Sequence, residues 1–320
     1  MRQSRRQVKI TERDLAILRK LGAAGWLTTG QIRNYFFERK SLNAVSKRLR
    51  KLVSAKYLAM VRYSRTETGL YRLTSRGKLV LINLTEIDER QITISAQLPR
   101  KLHHFLTVND IRQAFDRIRG AVAHLCYFYS EQELWRCEQQ AGCAALDVWP
   151  LLKHYRLIPD AIAQVQISQG NLVRKLNLFV EYDAETEHPT FFGRTKIRQY
   201  AALLAQYPRN LGEVKVLTFT PTIKRLVRLM RQTVAYQPPP HLFYFALLDQ
   251  IQQEQWETAE IFLDPGDFFL PVRNGDRLEV WEKEQQGEKL PQFALAGLPA
   301  LSPYQVSPRE ERGPTDNPCS

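Results

Sequence analysis

The chain has 320 residues, 46 Lys+Arg against 33 Asp+Glu and a formal net charge of +13, with 44% hydrophobic residues. That composition excludes a wholly disordered or collagen-like chain and allows two or three domains with at least one sizeable core. The charge is uneven: residues 1–80 hold 20 Lys+Arg and 4 Asp+Glu, a net of +16, and the remainder holds 26 and 29, a net of −3. A basic module on a near-neutral body points to a local polyanion contact, most often nucleic acid.

Residues 1–9 read as a flexible basic arm. A compact unit follows over 10–83. Thr11 with Asp14 three residues on resembles a helix cap, and Leu15, Leu18 and Leu21 repeat at helical spacing up to Gly22 and Gly25. Thr28 or Thr29 starts a second helix with Ile32, Tyr35 and Phe36 inward. A third helix spans 41–54, where Val45, Leu49 and Leu52 form the buried stripe. Asn43, Lys47 and Arg50 then fall on the opposite face, with Ser46 at its side and Arg48 and Lys51 flanking the core. Asn, Lys and Arg presented together suit base edges in a DNA major groove.

Two strands are expected at 58–63 and 70–73, joined by a polar tip at 64–69. Arg62, Arg65 and Arg72 are placed to reach flanking phosphates or the minor groove. The run SKRLRKLVSAKYL, then a hairpin, then LTSRG resembles bacterial winged helix-turn-helix domains. The structural alternative is a winged helix used for protein contacts.

Residues 84–100 read as a linker, 101–284 as a second domain and 285–320 as a Pro-, Gln- and Ser-rich disordered tail. The second domain has a helix over 102–119, strands over 121–129, 157–167, 172–183 and 214–220, and a helix over 191–206. Pro221 is expected at the first position of a further helix, and 241–248 reads as a buried strand. The order α-β-β-β-α-β gives a mixed sheet flanked by helices, an α+β or α/β class.

The acids fall at strand ends. Asp160 opens the second strand, and Glu181 and Asp183 close the third, two residues apart and so on one face of it. Clustered carboxylates call for a cation or a proton, and hard oxygen donors suit Mg²⁺ or Mn²⁺. Structural alternatives are a turn or strand cap at Asp160, a solvated acidic loop after Glu181, and a surface ion pair for Lys196.

IPDAIAQVQ followed by LFVEYDAETEHPTFFGRTKIRQY resembles the restriction-endonuclease-like, or PD-(D/E)xK, superfamily. The resemblance implies Asp160 and Glu181 as catalytic metal-binding acids, with Asp183 a further metal contact standing where a lysine is usual. Lys196 on the next helix is then the relocated lysine. The first-helix acid is Asp110, or else Glu131 or Glu133.

The order of a winged helix, LHHFLTVNDIRQAF, SEQELWR, PDA, FVEYDAET, KIRQY and VKVLTFT resembles the plasmid replication-relaxation family over roughly residues 10–260. That implies an accessory protein of plasmid or mobile-element replication or relaxation, bound to double-stranded DNA and partnered by a relaxase or replication protein, with a homodimer compatible. Its nuclease-like domain either cleaves DNA with Mg²⁺ or Mn²⁺ or keeps only the scaffold. The alternative is a non-enzymatic winged-helix transcriptional or copy-number regulator.

The sequence has no P-loop, Rossmann glycine pattern, nucleophile elbow or three-histidine cluster. His103-His104 reads as helix packing or polar surface, Tyr200 as core, and Cys126 as a core thiol. With no apolar run near the ~18–20 residues of a membrane span and no signal core, the expected location is the cytoplasm.

Overall fold

The computed structural model describes residues 8–37, 40–62, 69–92, 94–95, 97–120, 122–137, 148–169, 172–186, 188–207, 211–252, 256, 261–274 and 277–282. Arg65, most of the expected hairpin tip and the 285–320 tail lie outside them.

The N-terminal unit begins with α1 (Glu12–Ala24), β1 (Trp26–Thr28) and α2 (Thr29–Phe36). Both helices start on a capping box, Thr11 with Asp14 and Thr28 with Gln31, which satisfies otherwise unpaired N–H groups. Gly25 ends α1 at φ +80°, a left-handed conformation that costs glycine little, whereas Gly22 lies inside the helix. Next come α3 (Leu42–Ser54), β2 (Leu58–Arg62), β3 (Gly69–Leu73) and α4 (Ser75–Leu84). The three strands form an antiparallel sheet in the order β1-β3-β2. Val45, Leu49 and Leu52 are fully buried against Ile17, Leu18, Leu21 and Leu73.

The segment after α4 packs closely. Ile92 joins the same core, and Trp26 Nε1 donates to the Gln97 carbonyl at 3.1 Å.

The central domain contains α5 (Leu102–Phe115), β4 (Ala123–Ser130), α6 (Glu131–Cys137), α7 (Trp149–His154), β5 (Ala161–Gln169) and β6 (Leu172–Tyr182). It continues with α8 (Pro189–Phe192), a π-helical turn (Gly193–Ile197), α9 (Arg198–Gln206), β7 (Glu213–Thr220), α10 (Ile223–Ala235) and β8 (Phe243–Leu247). Beyond these lie α11 (Pro265–Phe268) and the hairpin β9 (Phe269–Asn274) and β10 (Arg277–Glu282).

The sheet runs β4-β5-β6-β7-β8, antiparallel through β6 and parallel from β6 to β8. The expected α-β-β-β-α-β order is thus α5, β4, β5, β6, α9, β7, and the chain is of mixed α+β class. One apolar face of the sheet packs on α5 and Trp256; the other packs on α7, α9 and α10.

Three local expectations are corrected. Residues 157–160 are not strand, because β5 begins only at Ala161. Pro221 precedes the helix rather than opening it, since Thr222 is the cap of α10. Cys126 is exposed, not core: an irregularity between Leu125 and Tyr127 breaks the side-chain alternation of β4 at that residue.

The two units meet along α5. Gln31 Nε2 donates to the Leu106 carbonyl and to Asp110 Oδ1, both at 2.9 Å, and Asn109 Nδ2 donates to the Trp26 carbonyl at 3.0 Å. Further along, Tyr35 donates to Asp116 at 2.8 Å, and Lys20 pairs with the same carboxylate. Arg112 is buried behind this contact and pairs with Glu133 at 2.6 Å.

Candidate functional site: an acid–lysine cleft

The site sits where β5 begins and β6 ends. Asp160 immediately precedes β5, and Glu181 is the penultimate residue of β6, the neighbouring antiparallel strand. Adjacent antiparallel strands place one strand's start beside the other's end, which brings two acids 21 positions apart in sequence to one sheet edge.

Asp160 is held from two sides. Its Oδ2 accepts the Tyr182 N–H at 2.7 Å, and its Oδ1 meets His104 Nε2 at 2.8 Å. The His104 ring also packs on Tyr182, with centroids 5.3 Å apart.

Glu181 is buried, and its Oε1 accepts from Lys196 Nζ at 3.0 Å and from the Tyr200 hydroxyl at 2.6 Å. Lys196 also donates to the Ile158 carbonyl at 2.6 Å. Lys196 and Tyr200 are four residues apart on one helical face. Lys196 lies in the π-helical turn, a local widening often found at functional positions. Gly193 opens that turn because a Cβ there would come within 2.2 Å of the Tyr236 ring.

Burial, reinforced by the Asp160 charge, pushes Glu181 up to about 7 in spite of Lys196. Lys196 loses hydration by burial, yet Glu181 and Asp160 hold its pKa above the ordinary lysine value. His104 is likewise raised, since Asp160 outweighs the effect of burial. Burial and the Glu181 charge raise Tyr200 well above a normal phenol, so it keeps its proton and donates.

Of the remaining expected site residues, Asp183 and Glu131 also line the cleft, whereas Asp110 and Glu133 do not. Asp183 takes a two-pronged pair from Arg225 of α10, both contacts at 2.8 Å. Asp110 faces the N-terminal unit through Gln31, and burial raises its pKa. Glu133 is tied to Arg112, and Ser130 also donates to it, while Glu131 lines the cleft. Among the described residues, no three His, Cys, Asp or Glu side chains are grouped as a ready metal site.

Tyr200 is core, as expected, and its contact with Glu181, like that of His104 with Asp160, is what sequence reasoning did not place. Tyr200 carried a usable signal, being one helical turn beyond Lys196. His104 carried none, since its partner lies 56 residues away.

These groups floor a cleft of about 920 Å³ between α5, the end of β6 and α8, with Arg100 and Lys101 also lining it. On the N-terminal unit, Asn43, Lys47 and Arg50 are exposed on α3, Ser46 is half-buried and Arg62 is exposed at the end of β2. Arg48 instead anchors α3 to α1, pairing with buried Asp14 and donating to the Lys9 carbonyl at 2.9 Å. Arg72 turns onto the Trp26 ring, 5.6 Å from its centroid.

The cluster carries a pH signature. Glu181 has a folded pKa above its ordinary 4.5, so its contribution to stability is fully present below that value and is lost as pH rises toward about 7. His104, raised above 6.5, contributes fully below 6.5 and loses its contribution as pH rises through its folded value. Both act in the same direction. Melting curves between pH 5 and 8 are therefore expected to be less steeply pH-dependent in Asp160→Asn than in wild type, because that change removes the charge acting on both groups. An Asp160→Asn profile as steep as wild type contradicts this reading.

Fold and site together define a two-part α+β protein: a basic unit of four helices and a three-stranded sheet docked on a mixed-sheet domain with an acid–lysine cleft. The family model described as replication-relaxation matches residues 18–217, and the chain belongs to that family. Membership supports a role in the replication or relaxation of plasmid or other mobile DNA. No curated protein and no solved structure matches the chain. No helix among the described residues is long and apolar enough to cross a membrane.

Proposed function

We propose that this chain is a DNA-binding accessory protein of plasmid or mobile-element replication and relaxation, whose central domain is a metal-dependent, nuclease-like module. The observation that carries this reading is the convergence of Asp160, Glu181 and Lys196 on one sheet edge within an open cleft. The α-β-β-β-α-β order around that edge supports it. The winged-helix reading of the N-terminal unit, with Asn43, Lys47 and Arg50 outward on α3, supplies the duplex contact.

The donor set fits Mg²⁺ or Mn²⁺. Asp160 and Glu181 are hard oxygen donors on the cleft wall, and a bound cation would offset the burial and the Asp160 charge that push Glu181 up. Mg²⁺ commonly takes one or two carboxylates and completes its shell with water and substrate phosphate. When bound, such an ion supplies Lewis-acid charge and lowers the pKa of a coordinated water.

The chain's own groups do the positioning. His104 and the Tyr182 N–H fix the Asp160 carboxylate. Tyr200 and Lys196 fix Oε1 of Glu181. Lys196, held by the Ile158 carbonyl, keeps a positive charge at the cleft floor, where it favours negative charge developing on a phosphate.

A second reading is a non-cutting regulator that keeps the scaffold alone. It is favoured by one observation: both oxygens of Asp160 and Oε1 of Glu181 already have protein donors.

The DNA-reading half is tested by Lys47→Ala combined with Arg50→Ala. Duplex affinity is expected to fall at least about tenfold, and the slope of log affinity against log salt to drop by about 0.9 for each phosphate no longer neutralised. Gel-shift or anisotropy titrations at several salt concentrations check both. An unchanged affinity removes α3 from the interface.

A further inference from the structure

The outer face of the helix that carries Lys196 differs from a solvated surface. Phe191 is 51% exposed and lines two depressions at once: the cleft containing Asp160 and Glu181, and an adjoining groove of about 480 Å³. That groove is lined by Thr190, Phe191, Arg194, Thr195 and Arg198. An isolated exposed apolar residue needs no explanation. A phenylalanine that joins two clefts, with cations on either side, does.

The guanidinium of Arg198 is stacked on the Tyr236 ring, 5.0 Å from its centroid, and has no ion-pair partner among the described residues. Arg194 is exposed and has no ion-pair partner among the described residues. Across the cleft, Arg100 and Lys101 add two exposed cations at the start of α5. Cations therefore flank Phe191 on both sides of the cleft, along its rim, while Glu131, Asp160, Glu181 and Asp183 line the cleft between them.

We infer that this rim takes an unpaired DNA strand: Phe191 stacks on a base, Arg194 and Arg198 contact phosphates on one side, and Arg100 and Lys101 contact them on the other. Aromatic platforms between cations are how proteins hold single strands, because every base offers a π face. A duplex buries those faces and gives Phe191 nothing to stack on. The inference rests on the nucleic-acid reading of the cleft and names its substrate class. The helix α3 holds duplex, and the central cleft receives a strand separated from it.

The test uses the full chain carrying Lys47→Ala and Arg50→Ala, so that duplex binding by α3 does not mask the cleft. It is run in EDTA with a fluorescent oligo(dT) of about 15 nucleotides, near the upper end of single-strand site sizes. This background is expected to bind oligo(dT) more tightly than the matching duplex. Adding Phe191→Ala is expected to weaken that binding about tenfold, and Phe191→Trp to retain it. Adding Arg194→Ala with Arg198→Ala is expected to lower the salt slope by about 0.7 for each phosphate no longer neutralised.

Three results overturn the inference: Phe191→Ala binding like its parent, Phe191→Trp failing as badly as Phe191→Ala, or duplex binding as tight as oligo(dT). Binding without divalent ions is independent of cleavage. A chain that binds oligo(dT) and never cuts refutes the nuclease reading alone, and a chain that cuts but ignores Phe191 refutes this inference alone.

Discussion

Glu133→Ala is expected to destabilise the central domain by about 3–5 kcal/mol, the usual consequence of leaving one partner of a buried ion pair alone. Arg112 and Glu133 are both buried and 2.6 Å apart. Burial opposes both charges. Glu133 and Asp116 nevertheless hold the Arg112 pKa above its ordinary value, and Arg112 holds Glu133 below its own. Without Glu133, the guanidinium keeps, among the described residues, only the Asp116 carboxylate at 4.0 Å, which Lys20 and Tyr35 already share. Those two residues belong to the N-terminal unit, so the loss also loosens the packing between the units. Urea unfolding followed by tryptophan fluorescence measures the cost. Arg112→Met with Glu133→Leu is expected to recover most of it, because an apolar pair of similar volume leaves no uncompensated charge. A single variant that unfolds like wild type contradicts this account of the interface.

The second large effect belongs to Lys196. Lys196→Ala removes the only side-chain cation in contact with Glu181 among the described residues and leaves that carboxylate with Tyr200 alone. Cleavage of supercoiled plasmid is expected to fall by about 10²–10³, the range for loss of a group that stabilises developing charge. Asp183→Asn is the informative contrast. It weakens the pair with Arg225 and so costs stability, yet leaves Asp160, Glu181 and Lys196 untouched. Its cleavage rate at a temperature where it is folded is expected to stay within a few-fold of wild type. A Lys196→Ala rate equal to wild type removes the lysine from the chemistry.

Much of the architecture was legible because it rests on local signals. The threonine caps at Thr11 and Thr28, the Val45–Leu49–Leu52 stripe and the strand pattern ending at Glu181 and Asp183 all follow from periodicity and short-range hydrogen bonding. The same signals led to the expectation that Glu181 and Asp183 close one strand on a shared face, whereas β6 stops at Tyr182 and Asp183 follows it. What they could not show is which partner each acid takes. Asp183 is claimed by Arg225, 42 residues on, and Asp160 by His104, 56 residues back.

Pairings of that kind are decided by how helices pack over the sheet, and neither composition nor spacing encodes them. The same holds for Asp110. It lies on the expected helix but faces the N-terminal unit, so a histidine six positions earlier reaches the strand-end acid instead. The short strand β1 also escaped notice, since three residues carry no readable alternation. Its sheet partner β3 lies more than forty residues away.

The net charge likewise divides further than the sequence suggested. The near-neutral central domain pairs many of its acids internally, as with Glu133, Glu181 and Asp183. Exposed cations beside Phe191 and at the start of α5 are left facing outward. Exposed positive charge is therefore found in two places, on the basic N-terminal unit and at the rim of the acid-lined cleft.

Asp160, Glu181 and Lys196 are proposed to form a metal-dependent cleaving centre delivered to DNA by the N-terminal unit. The most direct measurement incubates supercoiled plasmid with the full chain in Mg²⁺, in Mn²⁺ and in EDTA, for wild type and Asp160→Ala in parallel, and follows conversion to open-circular DNA. Wild type is expected to nick with either ion and not in EDTA, and Asp160→Ala is expected not to nick at all. Equal absence of nicking in both proteins, or equal nicking by both, would contradict the proposal.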